Sequence, residues 1–339
     1  MKNPFVTNGY VSPEYFCDRE KETAKIVSLL TNENNIALIS PRRLGKTDLL
    51  RHCFGQPEIK EHYHTFIIDI YATSSVRDFV NVFGKAVLDE LRPKGKSVWG
   101  TFLNVLASLR SEITFDMNGQ PTWGIGLGAI TNPSATLDEI FSYLNNAGKP
   151  CLIAIDEFQQ ITKYADDPNI EAALRTHIQR CSNAHFVFSG SHRHLMGAMF
   201  TSPARPFYQS VTLINLPPIS VDKYAEFCLR HFERASKHLD TLVVTELYER
   251  FNGITSYMQK VMNILFSMTG TGEICIPSMI DTAINDLLDF SADTYDALLY
   301  QMPEKQRIVF MAIAAEGKAK AISSGDFVRK YKLQSASSV

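Results

Sequence analysis

Residues 36–50 read IALISPRRLGKTDLL, and the expected architecture follows from this stretch. An apolar run ends in a turn that holds Gly-Lys-Thr, and an amphipathic segment comes next. This order of strand, loop and helix is what a phosphate-binding P-loop requires, because backbone N–H groups and a helix N-terminus must converge on the phosphates. The alternative for the motif alone is an ordinary strand-to-helix turn.

The residue types in this loop fit phosphate binding. Gly45 lets the backbone approach closely, Lys46 can reach the β- and γ-phosphates, and the Thr47 hydroxyl can ligate Mg²⁺. Ser40 stands where the usual motif has its first glycine. The residues predicted to bind nucleotide here are Ser40, Pro41, Arg42, Arg43, Leu44, Gly45, Lys46, Thr47 and Asp48.

A second motif, CLIAIDEFQ at residues 151–159, indicates a buried parallel strand that ends in two carboxylates. Ligands of open α/β sheets bind at the carboxyl ends of the strands. Asp156 is predicted to hold the Mg²⁺ shell and Glu157 to act as general base for the attacking water. Alone, the motif is equally consistent with a plain strand end, but paired with the P-loop it predicts nucleotide hydrolysis.

The alternation of strands with helices predicts an α/β core: a five-stranded, mostly parallel sheet with helices on both faces. The predicted strands are residues 36–40, 65–70, 151–156, 185–189 and 211–216. Asn118-Gly119 favours a hairpin insertion at about 112–128. The predicted domains are a core at 1–216, an all-helical region at 217–290 and a last segment at 291–339.

Composition narrows the functional classes. The chain of 339 residues is 45% apolar and 21% charged, and its net charge of −2 argues against a wholly basic nucleic-acid binder. Residues 317–339 carry a local charge of +4, which is consistent with a surface for a polyanion or with a solvated helix face. Six scattered cysteines, no signal-peptide pattern and no run of about 18 apolar residues predict a cytoplasmic protein without membrane attachment.

The chain resembles the archaeal-type ATPases of the P-loop superfamily, which are relatives of the AAA+ and STAND NTPases. The residues that carry the resemblance are FCDRE at 16–20, PRRLGKT at 41–47 and DEFQ at 156–159, with weaker support from SGS at 189–191 and PFY at 206–208. The resemblance implies a five-stranded core, a helical lid at 217–290 and a C-terminal winged helix. It also implies ATP as the nucleotide, and no guanine-reading Asn-Lys-x-Asp follows the second motif.

The resemblance also implies roles for further residues. Asp18 and Arg19 would lie near the adenine, and Ser189 or Ser191 would be the sensor that contacts the γ-phosphate. Arg205 would be an arginine finger or a γ-phosphate contact, with a rim salt bridge as the alternative. The chain departs from the family at Cys17 and Ser40, where glycine is usual, and at GITSY, residues 253–257, which lacks the proline expected in the lid.

The end of the chain is similar to a helix-turn-helix, with helices at 306–314 and 326–333 and the start of a recognition helix at 334–339. The sequence leaves open whether the natural protein continues past Val339. Phosphate contacts from the basic tail predict weak, salt-sensitive DNA binding without base readout.

These observations predict an ATP-binding, Mg²⁺-dependent ATPase whose nucleotide state changes its conformation. The alternative is a nucleotide-gated DNA-binding regulator with little or no hydrolysis. The resemblance allows a DNA or protein partner for the C-terminal module and a nucleotide-dependent oligomer.

Overall fold

The computed structural model describes residues 2–91, 113–115, 121–123, 133–317 and 319–333. Its contacts divide the chain into two compact units, Met1–Cys275 and Ile276–Val339. The first unit contains the parallel sheet.

The sheet has five strands in the order β2-β5-β6-β1-β7, and every neighbouring pair is parallel. In chain order, the strands are β1 (Ile36–Ile39), β2 (His64–Asp69), the short β3 (Ile113–Phe115) and β4 (Pro121–Trp123), β5 (Cys151–Asp156), β6 (Ala184–Gly190) and β7 (Thr212–Asn215). The predicted α/β sheet is thereby confirmed.

The helices of the first unit connect and cover these strands. They are α1 (Glu20–Thr31), α2 (Lys46–Phe54), α3 (Pro57–Lys60), α4 (Val76–Glu90), α5 (Pro133–Asn145), α6 (Ile170–Arg180), α7 (Arg193–Thr201), α8 (Val221–Arg234), α9 (Thr241–Phe251) and α10 (Thr255–Met268). Two two-residue strands, β8 (His238–Leu239) and β9 (Ile274–Cys275), pair in parallel beside α8–α10.

Both faces of the sheet are buried along β1, β5 and β6, whose residues are all buried and mostly apolar, whereas the edge strands β2 and β7 are partly exposed. Along β1, Ala37 and Ile39 pack with α4, α5, α6 and α7, whereas Ile36 and Leu38 pack with α1, α2 and α3. Alternate side chains of a strand point to opposite faces, so this apolar run needs helices on both sides. The register also sets Asp69 at the end of β2 beside Asp156 at the end of β5.

The antiparallel pair β3 and β4 lies inside the predicted hairpin insertion. Ile113 pairs with Trp123 and Phe115 with Pro121. The Asn118-Gly119 turn lies outside the described residues.

The second unit is helical over its described residues. Its helices are α11 (Ile280–Asp289), α12 (Ala292–Gln301), α13 (Glu304–Glu316) and α14 (Gly325–Lys330). Basic side chains here have acidic partners: Arg329 contacts Asp326 and Lys330 contacts Glu316. The predicted recognition helix at 334–339 lies outside the described residues. Of the helices that are described, none has the length and apolar character needed to cross a membrane.

Candidate nucleotide-binding site

A cleft of about 350 Å³ opens at the carboxyl ends of β1 and β5. Its wall on the sheet side comes from the P-loop and from the two carboxylates that follow β5. The opposite wall comes from the N-terminal segment and the start of α10. The lining residues are Val6, Thr7, Gly9, Tyr10, Val11, Tyr15, Phe16, Cys17, Arg19, Arg42, Arg43, Leu44, Gly45, Lys46, Thr47, Asp48, Asp156, Glu157, Ile219, Thr255, Ser256 and Gln259.

The P-loop turns through two residues of left-handed backbone. Arg43 has φ +70° and Gly45, which precedes the first residue of α2, has φ +83°. A left-handed residue at the helix start lets the chain leave β1 and enter α2 in a tight loop. The N-terminus of α2 therefore faces the cleft, where its partial positive charge favours an anion.

Lys46 lies folded over the loop. Its Nζ donates to the carbonyl oxygens of Ser40 at 3.1 Å and Pro41 at 3.4 Å. Burial lowers the pKa of Lys46, while the nearby carboxylates of Asp156 and Glu157 act in the opposite direction. An ammonium with only two carbonyl partners has donor capacity left for a phosphate oxygen.

Asp156 connects the P-loop to the neighbouring strand. The Thr47 hydroxyl donates to its Oδ2 at 2.6 Å, and the Ser189 hydroxyl at the end of β6 donates to its Oδ1. Ser189 is fully buried and Asp156 is 6% exposed. The three side chains form one hydrogen-bonded row across α2, β5 and β6, and the oxygens of Thr47 and Asp156 are the donor type that Mg²⁺ takes.

Glu157 has its own set of partners. Its Oε2 accepts hydrogen bonds from Ser191 Oγ at 2.8 Å and from the Gln159 side-chain amide. The Arg42 guanidinium lies 3.4 Å from Ser191 Oγ and stacks over the ring of Tyr71, with 5.1 Å between the guanidinium carbon and the ring centroid. A carboxylate at the cleft is thus fixed by hydroxyl and amide donors.

The opposite wall depends on residues 3–17, here called the N-terminal strap. At one end, Phe5 is fully buried among the aromatic rings of α8 and α10, and its carbonyl accepts from the Asn263 side chain at 2.7 Å. At the other end, the Tyr10 hydroxyl lies 3.0 Å from His52 Nδ1 of α2, and Phe16 stacks on His52 at 4.4 Å between centroids. The strap therefore passes along the cleft between two points of attachment.

The start of α10 contacts the P-loop directly. The Ser256 amide donates to the Arg43 carbonyl at 3.2 Å, and the Arg43 guanidinium lies 4.9 Å from the ring centroid of Tyr257. Further along α10, Gln259 lines the cleft and accepts a hydrogen bond from Tyr224 of α8 at 2.9 Å. The GITSY segment, residues 253–257, thus contacts the P-loop although it lacks the proline expected in the family.

The resemblance implied roles for Asp18, Arg19 and Arg205. These three residues lie outside the part of the cleft formed by the P-loop, Asp156 and Glu157. Arg19 lines the cleft but donates to Glu22 and to the Pro217 carbonyl, each at 2.7 Å. Asp18 precedes it, also in left-handed backbone, and is not among the lining residues. Arg205 forms an ion pair with Glu171, as in the alternative that the sequence left open for it, and it does not line the cleft either.

The sequence interpretation assigned no role to the N-terminal strap or to Gln159. The strap offers only common residue types, and the hydrogen-bond partners of its Phe5 end lie about 260 positions away in the chain. Gln159 belongs to the DEFQ motif, so the sequence shows where it lies along the chain. Its contact with Glu157, however, depends on the local backbone conformation.

Solved structures with the same fold include two kinds of protein. The Walker-type ATPase PABY2304 of Pyrococcus abyssi is 17% identical, with a TM-score of 0.60 over 97% of this chain and 87% of that one. The ORC2 protein of Aeropyrum pernix, solved as ADPNP-ADP complexes, is 13% identical, with a TM-score of 0.60 over 97% and 82%. The ORC1 protein of the same organism, solved in complex with DNA, is 12% identical, with a TM-score of 0.58 over 98% and 81%. At these identities the likeness shows the fold.

The sequence matches none of the curated proteins with which it was compared. Two family models do match. Residues 293–339 match a probable winged helix domain, in agreement with the helix-turn-helix prediction. Residues 16–261, well over half of the chain, match the ATPase domain predominantly from Archaea. This range contains the P-loop, both carboxylates, α8, α9 and the start of α10, and the chain belongs to that ATPase family.

Proposed function

We propose that this protein hydrolyses ATP in the cleft and that the bound nucleotide changes the position of α8–α10 against the core. The observation that carries the proposal is the convergence of Lys46, Thr47, Asp156 and Glu157 on one cleft wall. The family match to an ATPase domain supports it.

The residues of this wall supply the parts that phosphoryl transfer to water needs. Lys46 and the N-terminus of α2 would contact the phosphates and offset their charge. Glu157 would accept the proton of the attacking water, since a carboxylate within hydrogen-bond reach serves as general base. Both candidate sensors donate to a carboxylate of this wall, Ser189 to Asp156 and Ser191 to Glu157, and Ser191 is the more exposed of the two.

The arrangement also fits Mg²⁺. Thr47 Oγ1 and Asp156 Oδ2, already 2.6 Å apart, are hard oxygen ligands and would hold the ion. When bound, Mg²⁺ neutralises negative charge on the phosphates. Because Mg²⁺ takes one or two protein ligands and completes its shell with phosphate and water, these two side chains suffice.

The proposed conformational change rests on the contacts between the P-loop and α10. Arg43 contacts both Ser256 and Tyr257, and the strap joins α2 to α8 and α10. A nucleotide that reshapes residues 40–48 would therefore act on α10 through a short path of direct contacts. In this proposal α8–α10 act as the lid.

The central test is the substitution Glu157→Gln. It keeps the size of the side chain and the Thr47–Asp156 pair, so ATP should bind with affinity within about threefold of the wild type. The loss of the base should lower ATP turnover by about 10²-fold or more. Binding is measured by calorimetry and turnover by phosphate release.

The control is Glu58→Gln on α3, an exposed glutamate away from the cleft, which should leave both quantities unchanged. Turnover that persists at the wild-type rate in Glu157→Gln would mean that the water is activated elsewhere. Binding that disappears would mean that Glu157 holds the nucleotide.

A nucleotide-gated DNA-binding regulator is the second candidate, and the winged-helix match at 293–339 favours it. In the second unit, Lys320 and Lys332 are exposed, whereas Arg329 and Lys330 contact acidic side chains. Local acidic partners reduce the charge available to DNA phosphates. Any DNA binding should therefore be weak and fall steeply between low and physiological salt.

The two candidates are separated by measuring ATP turnover with and without duplex DNA. If the protein is an ATPase, ATP turnover should be measurable without DNA. If it is a nucleotide-gated regulator, turnover should be negligible and the affinity for DNA should change with the bound nucleotide. If DNA is bound, Lys320→Ala and Lys332→Ala should each lower the salt dependence by about one unit of log–log slope.

A further inference from the structure

The side chain of Glu157 is held through one of its two carboxylate oxygens. Ser191 Oγ donates to Oε2 at 2.8 Å, and the Gln159 side-chain amide donates to the same atom. Neither of these bonds uses Oε1. The carboxylate is thus fixed in rotation, with one oxygen occupied and the other free of both donors.

The local backbone explains how Gln159 reaches this position. Glu157 has φ +56° and ψ +39°, in the left-handed region that a side chain with a Cβ rarely adopts. A 3₁₀ helix, Phe158–Lys163, begins at the next residue, and the Gln160 amide donates to the Glu157 carbonyl at 2.9 Å. This turn brings the side chain of Gln159 into contact with that of Glu157. Strained backbone of this kind is concentrated at functional sites.

Gln159 is poorly suited to a purely structural role. It is 3% exposed, yet its amide oxygen Oε1 is buried without a hydrogen-bond partner. A buried polar atom without a partner is costly, and a structural glutamine would normally have both ends satisfied. Because a carboxylate can only accept, the contact with Glu157 also determines which end of the amide faces it.

Gly190 at the end of β6 provides the space for this amide. A Cβ at that position would lie 2.3 Å from Gln159 Oε1 and 2.6 Å from the Met196 side chain. The residues on either side, Ser189 and Ser191, donate to Asp156 and Glu157 respectively. The end of β6 thus supplies two hydroxyl donors and, between them, room for the amide.

We propose that Gln159 is a positioning residue for hydrolysis: together with Ser191 it fixes Oε2 of Glu157, so that Oε1 is the oxygen that receives the proton of the attacking water. This inference rests on the proposed ATPase function and on Glu157 as its base. In this proposal Oε2 of Glu157 accepts the two positioning hydrogen bonds, and Oε1 accepts the proton.

The test is Gln159→Met, which keeps the length of the side chain and removes the donor. We expect kcat to fall by about tenfold or more, because an unfixed carboxylate spends less time in the productive geometry. ATP affinity should stay within about threefold. A lower kcat at unchanged ATP affinity is the result that a general loss of structure would not give.

Gln160→Met is the matched control. Gln160 is the next residue and its side chain donates to the Thr73 carbonyl at 2.9 Å, away from the cleft. Gln160→Met therefore shows how the removal of a glutamine side chain from this 3₁₀ helix affects the structure. We expect kcat and ATP affinity to be those of the wild type.

Gly190→Ala is a second, independent variant, because its methyl group would displace the amide without changing Gln159 itself. It should reproduce the lower kcat at unchanged ATP affinity, and it replaces Gln159→Met if that protein does not fold.

An unchanged or increased kcat in Gln159→Met would overturn the proposal, as would an equal decrease of kcat in Gln160→Met. Normal turnover in Glu157→Gln would instead contradict the proposed function itself, so the two failures are distinguishable.

Discussion

The two walls of the cleft are built in different ways. The phosphate wall consists of residues 42–48 with Asp156 and Glu157, and short hydrogen bonds join Thr47 to Asp156 and Ser191 to Glu157. The opposite wall consists of the N-terminal strap and the start of α10, where aromatic packing predominates. The phosphate wall is assembled at the ends of parallel strands, whereas the opposite wall depends on the packing of the strap against α2, α8 and α10.

This difference predicts a division of labour. Charge and hydrogen bonds bind the phosphates, which every nucleotide shares, and they act largely independently of the base. Apolar and aromatic surface suits a base and sugar, and a strap that must be ordered can respond to what it covers. Inorganic triphosphate and ATP, used as paired probes, should report on the two walls separately.

The largest effect is expected on the phosphate wall. Lys46→Ala removes the lysine whose Nζ lies over the loop, so affinity for both ATP and triphosphate should fall at least tenfold in calorimetry. Lys60→Ala, an exposed lysine on α3, serves as the control and should bind both probes normally. Loss of ATP binding with triphosphate binding intact would contradict the division between the walls.

A smaller and more selective effect is expected from Phe5→Ala. This substitution removes a fully buried ring from the cluster formed with Phe227 and Phe266, so the strap should detach locally while the sheet stays folded. ATP affinity should fall by about three- to tenfold, and triphosphate affinity should not change.

Phe290→Ala is a matched control for the strap, because this phenylalanine of the second unit is 83% exposed. It should bind both probes like the wild type. Equal losses for ATP and triphosphate in Phe5→Ala would show that the strap also supports the phosphate wall.

The smallest effect concerns His231, which packs against Phe5 and Tyr15 where the strap meets α8. Burial first, and then Arg230 and Arg234, lower its pKa, while Glu14 acts in the opposite direction. The unfolded chain therefore binds a proton more readily than the folded one, and folding stability falls as pH drops below about 6.5. Both ring nitrogens lack a hydrogen-bond partner, so phenylalanine can replace the ring without losing one.

His231→Phe should therefore lose less stability on acidification than the wild type, by about 2–4 °C in the melting temperature between pH 8 and pH 5.5. The remaining loss should come from His52, His177 and His185, whose pKa values burial also lowers. His62→Phe, at an exposed position, is the control and should follow the wild type. An identical acid dependence for His231→Phe and the wild type would exclude His231 as a contributor.

The same contrast explains what the sequence could predict. The P-loop and the Asp-Glu motif are local, because Lys46 and Thr47 follow directly from β1 and Glu157 directly from β5. The parallel sheet was predictable for the same reason, since each strand is a short apolar run between helical segments. The family and the winged-helix match agree with those local patterns.

The remaining features depend on contacts that no local pattern encodes. Phe5 and Asn263 are ordinary residues whose meeting depends on the whole fold of the first unit. The role proposed for Gln159 depends on the left-handed turn at Glu157, and the sequence does not reveal a positive φ at a non-glycine residue. The position of Arg205 beside Glu171 required the relative placement of α6 and the loop after α7.

The attachment of the strap at both ends has a consequence for the order of events in a catalytic cycle. With residues 6–11 held at Phe5 on one side and at Tyr10 and His52 on the other, this segment can move away from the cleft that it lines only after one attachment opens. Opening of such a segment is a microsecond-to-second event that can be slower than bond cleavage. Where bound nucleotide lies beneath the strap, exchange of ADP depends on this opening, and the displacement of a fluorescent ADP analogue by excess ADP, followed by stopped flow, measures its rate. Loosening the Phe5 end, as in Phe5→Ala, should speed that displacement while single-turnover cleavage keeps its rate.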